Sequence, residues 1–113
     1  MIILVDRGCT HNFVREHLVR TLDLRPRPTI PLRVMVGKNH EIECSRLCDQ
    51  VPMQVQGHIF TVDLYVLPLC GADLVLSVQW LKTLGPVLTD YNDLTMKFLH
   101  LGRVVELKGD SNL

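Results

Sequence analysis

Ile2-Ile3-Leu4-Val5-Asp6-Arg7-Gly8-Cys9-Thr10-His11-Asn12-Phe13 opens on four aliphatic residues and turns polar at a single carboxylate. The aliphatic run reads as a strand buried on both faces, which puts Asp6 at a strand end beside a low-dielectric interior. Gly8, close behind it, lets the backbone turn. A carboxylate in that setting can be tuned for chemistry, so Asp6 is the candidate around which the rest of the chain is read.

Working outward, Thr10 reads as the N-cap of a helix carrying Phe13, Val14, Leu18, Val19 and Leu22 at helical spacing and ending near Leu24. Arg25-Pro26-Arg27-Pro28 stops any helix and makes a stiff extended connector. Ile30, Leu32, Val34 and Val36 then alternate as a strand, Gly37-Lys38-Asn39-His40 supplies turn chemistry, and Glu41 to Leu47 returns. Residues 30–47 therefore read as a β-hairpin with a glycine at its tip. A second hairpin joins Val51–Val55 to Ile59–Leu67 through Gln56-Gly57-His58. Leu74-Val75-Leu76 suits a short core strand, and Val78, Leu81 and Leu84 have the spacing of a short helix closed by Gly85-Pro86. The remainder offers Val87-Leu88, a turn at Asp90-Tyr91-Asn92-Asp93, then Leu94–Leu99 and Val104–Leu107 about a turn at Leu101-Gly102. Many short strands with two helices predict an all-β barrel or sandwich.

The 113 residues fit one domain, and 47% hydrophobic content is ample for one core. Twelve Lys and Arg balance twelve Asp and Glu, with no long basic run, which argues against a nucleic acid or an anionic membrane as partner. A polypeptide or a small molecule is expected instead. The first apolar run is too short for a signal-peptide core, and no stretch approaches the ~20 apolar residues that span a bilayer. The expected location is intracellular. On that basis Cys9, Cys44, Cys48 and Cys70 read as reduced thiols that pack as small core residues.

Several segments now form one pattern: Val5-Asp6-x-Gly8-x-Thr10-His11-Asn12-Phe13, Leu67-Pro68-Leu69, Asp73-Leu74-Val75-Leu76, and Gln79-Trp80-Leu81-Lys82-Thr83-Leu84-Gly85-Pro86. Asp90-Tyr91 and Leu94-Thr95-Met96-Lys97-Phe98 continue it. In this order and spacing the chain resembles the retropepsin-like aspartic proteases of gypsy-type retrotransposons, particularly those of plants. The resemblance implies a retropepsin-like closed barrel with a flap hairpin and two short helices, spanning residues 1–113. It also implies a homodimeric endopeptidase that cleaves the element's own polyprotein, in the cytoplasm or within retroelement particles, with no cofactor and no metal. Each chain would give one Asp6 to a shared site, since Asp-x-Gly occurs once in the sequence. Arg7, Gly8 and Cys9 would form the active-site loop, Val36, Gly37 and Lys38 the flap over substrate, and Leu76 and Ser77 the support beneath the loop.

Three features depart from the family pattern. Arg7 stands where the family has Ser or Thr, whose hydroxyl bonds across the dimer axis; arginine has no acceptor, and two copies bring like charges together. Ser77 replaces a glycine and is expected to crowd the loop. The chain also starts five residues before Asp6, where the family has an earlier strand, so either the sequence is a fragment or that strand is lacking. These departures imply the alternative of a catalytically impaired module that binds peptide or dimerises.

Other chemistries fit less well. Cys44 and Cys48, with His40 and His58, have ligand chemistry for zinc, but on a strand the two cysteines lie about 13 Å apart at ~3.3 Å per residue. Cys9 near His11 raises a cysteine hydrolase, yet closeness in sequence is not facing geometry, and a small residue at that turn suffices. Ser77 lacks a nucleophile-elbow setting, Trp80 reads as a core or interface anchor, and Asp73, Asp90 and Asp93 read as turn residues bonding nearby amides.

Overall fold

The structure, a computed structural model, describes residues 2–35, 40–68 and 72–109. The second predicted hairpin is the spine of the fold: β4 (Glu41–Val55) and β5 (His58–Leu67) pair antiparallel up to Val55 opposite His58. Their two-residue turn has Gln56 at φ 48° and Gly57 at φ 85°. Positive φ at both central positions matches the right-handed twist of the flanking strands, and glycine adopts it without penalty.

Glu41–Leu47 and Val51–Val55, expected as two strands, are one strand of 15 residues. Between Cys48, opposite Leu64, and Val51, opposite Val62, β4 carries one residue more than β5. This bulge, with Gln50 at φ 51° and its N–H donated to Asp63 Oδ1 at 2.8 Å, reverses the alternation of β4. Cys48 before it and Met53 beyond it therefore enter the same core.

The remaining elements are β1 (Ile3–Val5), β2 (Phe13–Arg15), α1 (Glu16–Thr21), β3 (Arg27–Met35), β6 (Leu74–Leu76), α2 (Val78–Thr83), β7 (Leu88–Asp90), β8 (Thr95–His100) and β9 (Arg103–Lys108). Six strands form a sheet in the order β1-β6-β2-β5-β4-β3, and β7-β8-β9 form a second. The mostly β architecture with two short helices is the expected one. Among the described residues its strands pair as two sheets around a shared core, with no ladder joining them into one closed cylinder. Phe60 on β5 links the sheets, its ring 5.5 Å from Trp80, 6.0 Å from Phe98 and 4.7 Å from His100. Trp80 is buried in this core, as its sequence position suggested.

Thr10 does not cap a helix. Phe13 and Val14, placed on a helix by their spacing, belong to β2, which lies between β5 (parallel, Val14 opposite Val66) and β6 (antiparallel, Val14 opposite Leu74). Two flanking partners bury Val14 completely, and that burial outweighs a local helical pattern. Helix α1 begins only at Glu16 and ends at Thr21, three residues before the expected Leu24. Asp23 at φ 54° donates its N–H to Arg20 O, and Leu24 donates its own to Val19 O, a Schellman closure made without glycine. Strand β3 starts at Arg27, within the predicted connector, and takes in Pro28 and Pro31 because it is an edge strand. It pairs with β4 as the predicted first hairpin. The tip of that hairpin, with Val36, Gly37 and Lys38, lies outside the described residues.

Candidate active site

Asp6 follows β1, the last strand at one end of the six-stranded sheet. The expected burial on both faces is not found: Leu4 is 44% exposed and Val5 38%, because β1 has β6 as its one neighbour. Parallel pairing sets Val5 opposite Leu76, and the ladder continues one step as Asp6 donates its N–H to Leu76 O at 2.9 Å. Leu76 itself is fully buried.

The chain then folds back on the carboxylate. Gly8 donates its N–H to Asp6 Oδ1 at 2.8 Å, and Cys9 Sγ lies 3.4 Å from Asp6 Oδ2 as donor. Both oxygens are thereby oriented by residues two and three positions on. A Cβ at Gly8 would lie 3.2 Å from Asp6 Oδ1. Glycine is favoured here by this close approach, and Gly8 is not at positive φ.

Arg7 reaches the smaller sheet. Its Nη2 donates to Thr89 Oγ1 at 3.4 Å, and its guanidinium carbon lies 6.0 Å from the centre of the Tyr91 ring. The charge is thus held against β7 and the turn after it.

Ser77 is completely buried and finds partners instead of crowding the loop. Its N–H and its Oγ–H each donate to Asn12 Oδ1 at 2.8 Å, while Oγ accepts the Gln79 N–H at 3.1 Å and caps α2. Asn12, 5% exposed, is fixed in turn by the Tyr65 N–H on its carbonyl at 2.9 Å and by Nδ2 donation to Asp63 O at 3.4 Å. Sequence reasoning missed Asn12 as a site residue. Its one signal was an amide directly before a buried strand, a place where a polar side chain needs a partner.

Asp73 is also more than a turn residue. Oδ2 accepts the Ile2 N–H at 2.7 Å and Oδ1 lies 3.5 Å from Arg15 Nη1, so Asp73 ties the start of β1 to β2. The Ile2 N–H, first, and then Arg15 hold its carboxyl below the usual carboxylate range. Asp90 behaves as expected, accepting the Asn92 and Asp93 amides. Cys44 and Cys48 are free buried thiols in two separate core clusters, and burial pushes both thiols up. No group of three metal-ligating side chains occurs among the described residues. None of their helices is long and apolar enough to cross a membrane.

The model of the family described as retroviral aspartyl protease matches residues 1–96, from β1 into β8. The chain belongs to the retroviral aspartyl protease family. No curated protein matches the sequence. Among solved structures, the crystal structure of the retroviral protease-like domain of Ddi1 from Leishmania major is similar, with a TM-score of 0.64 at 15% identity. The superposition covers 96% of this chain and 86% of that one, a likeness of fold. In this retroviral aspartyl protease domain, Asp6, Gly8, Cys9, Leu76 and Ser77 meet at one place, with Asn12 added to them. Arg7 leaves that place for Thr89.

Proposed function

We propose that the chain is the aspartic endopeptidase of a gypsy-type retrotransposon, working as a homodimer on its own polyprotein. The observation that carries this reading is the Asp6 carboxylate at a strand end, each oxygen held by a donor from the loop that follows. One chain supplies one such group, and peptide hydrolysis of this kind needs two. Two carboxylates about 3 Å apart share a proton, because like charges that close do not both ionise, and the titration belongs to the pair. The ionised Asp6 of one protomer takes a proton from water, whose oxygen attacks the scissile carbonyl carbon. The protonated Asp6 of the other gives its proton to the carbonyl oxygen. Collapse of the resulting diol breaks the C–N bond, the amine leaving with a proton returned by the pair. Binding would lie between the protomers, under the flap that Val36, Gly37 and Lys38 would form.

A specific observation favours a second reading, a peptide-binding or dimerising module with impaired catalysis. Arg7 occupies the position after Asp6 and offers donors only, so it makes no hydroxyl-type bond across an axis. One experiment separates the two: sedimentation equilibrium of the purified chain, with a mixed-peptide cleavage assay at about pH 5 on the same sample, where a shared-proton pair works. A dimer whose cleavage stops in Asp6→Asn supports the protease. A dimer or monomer without cleavage supports the module.

A further inference from the structure

The loop that carries Asp6 is gripped at three points by three consecutive residues. Leu76 O accepts the Asp6 N–H at 2.9 Å, Val78 N–H donates to Cys9 O at 3.3 Å, and between them Ser77 donates twice to Asn12. Residues 6, 9 and 12 are thus tied to residues 76, 78 and 77. The first two ties are backbone to backbone and survive any change of side chain. The third is made by side chains, and it is the most deeply buried, with Ser77 fully enclosed and Asn12 5% exposed.

We propose that Asn12 and Ser77 act as a lock that holds the Asp6 loop, and through it the Asp6 carboxylate, in one orientation; both are positioning residues for the hydrolysis proposed above, and this part of the inference rests on that reading. Asn12 is suited to the role because it is anchored outside the loop. Its carbonyl accepts the Tyr65 N–H and its Nδ2 donates to Asp63 O, both on β5, so the central hairpin serves as the anchor. Ser77 is suited because its hydroxyl serves two elements, donating to Asn12 and accepting from Gln79 at the start of α2. A glycine at 77 would keep the amide bond to Asn12 and lose both hydroxyl bonds. In a dry site each bond is stronger, and an orphaned donor is expensive, so breaking the lock is costly. The carboxylate responds to small shifts because Gly8 N–H and Cys9 Sγ hold its two oxygens within the same loop. A displacement of about 1 Å at a reacting group lowers rates by roughly a hundredfold.

The test compares the full chain with Ser77→Ala, Ser77→Gly and Asn12→Ala, reading backbone 15N relaxation and, on the same samples, kcat and KM for peptide cleavage. The amides of Arg7, Gly8 and Cys9 are expected to become mobile in the variants while those of Val62 and Leu64 in β5 stay rigid. We expect kcat to fall roughly tenfold in Ser77→Ala and roughly a hundredfold in Asn12→Ala, with KM within twofold. The Asn12→Ala, Ser77→Ala double variant should lose less kcat than the two single losses multiplied together, because the bond between Asn12 and the Ser77 hydroxyl is not lost twice. Should Asn12→Ala fail to fold, the two Ser77 variants carry the test, since they leave Asn12 and its bonds to β5 in place. Mobility confined to residues 7–9 in the variants, with a wild-type chain that cleaves nothing, would uphold the lock and remove the protease reading. Unchanged loop amides, a loss of order spread equally over β5, or a loosened loop with undiminished kcat would each overturn the lock.

Discussion

Arg7 Nη2 donates to Thr89 Oγ1 at 3.4 Å across 82 positions of sequence, turning the charge that follows Asp6 onto the smaller sheet. The Tyr91 ring stands on the same side, 6.0 Å from the guanidinium carbon. An arginine next to a candidate catalytic carboxylate is thereby spent on a contact within its own chain, and the Asp6 oxygens are left to Gly8 and Cys9.

On the homodimer reading, replacing Arg7 by serine removes a positive charge from each protomer and supplies a hydroxyl that both donates and accepts. Arg7→Ser should then tighten the dimer and raise cleavage roughly tenfold, equivalent to about 1.4 kcal/mol. Thr89→Val should lower cleavage in the parent chain and have no effect in Arg7→Ser. Because the Arg7 contact is exposed, Thr89→Val should cost under about 1 kcal/mol in urea unfolding.

Gly8→Ala would put a methyl carbon 3.2 Å from Asp6 Oδ1, closer than carbon and oxygen ordinarily approach. The carboxylate or the Gly8 amide must give by a few tenths of an ångström, which disturbs the 2.8 Å bond between them. On the protease reading cleavage should fall roughly tenfold, while thermal unfolding shifts little because the site is at the surface.

The tie between Ile2 and Asp73 should weaken in acid. Its folded carboxyl sits below the ordinary carboxylate range, chiefly through the Ile2 N–H, so at intermediate acidity the unfolded chain binds more protons. The stabilisation is therefore present above the unfolded value of about 3.9 and is lost as pH falls through the lower folded value. Asp73→Asn should be less stable than the parent at pH 7, and the gap should close on going from about pH 5 toward pH 2. Urea unfolding of both chains across that range provides the check.

Phe60 holds the two sheets to one core through Trp80, Phe98 and His100. Truncation to alanine leaves a cavity where three rings meet and should cost about 3–5 kcal/mol. The midpoint of urea unfolding would fall, with near-ultraviolet dichroism of Trp80 lost before the far-ultraviolet strand signal.

The amino-acid order by itself determined the parts of this protein whose cause is local. Period-two apolar runs made β4 and β5 readable, and Gln56-Gly57 and Leu101-Gly102 marked hairpin turns because those positions take φ of 48° and 85°, and 52° and 78°. The segment around Asp6 and Gly8 was legible as a motif, since its donors and acceptors lie two and three residues apart. Only the tertiary structure decided the rest. Phe13 and Val14 joined a sheet although their spacing was helical, because β5 and β6 offered two partners and complete burial of Val14. The bulge that merges two predicted strands into β4 depends on Asp63 of the neighbouring strand. Asn12 meets Ser77 across 65 positions, Ile2 meets Asp73 across 71, and Arg7 meets Thr89 across 82. No periodicity carries such pairs, for a polar side chain's partner is settled by which strands pack together, and that choice is made by the whole core at once.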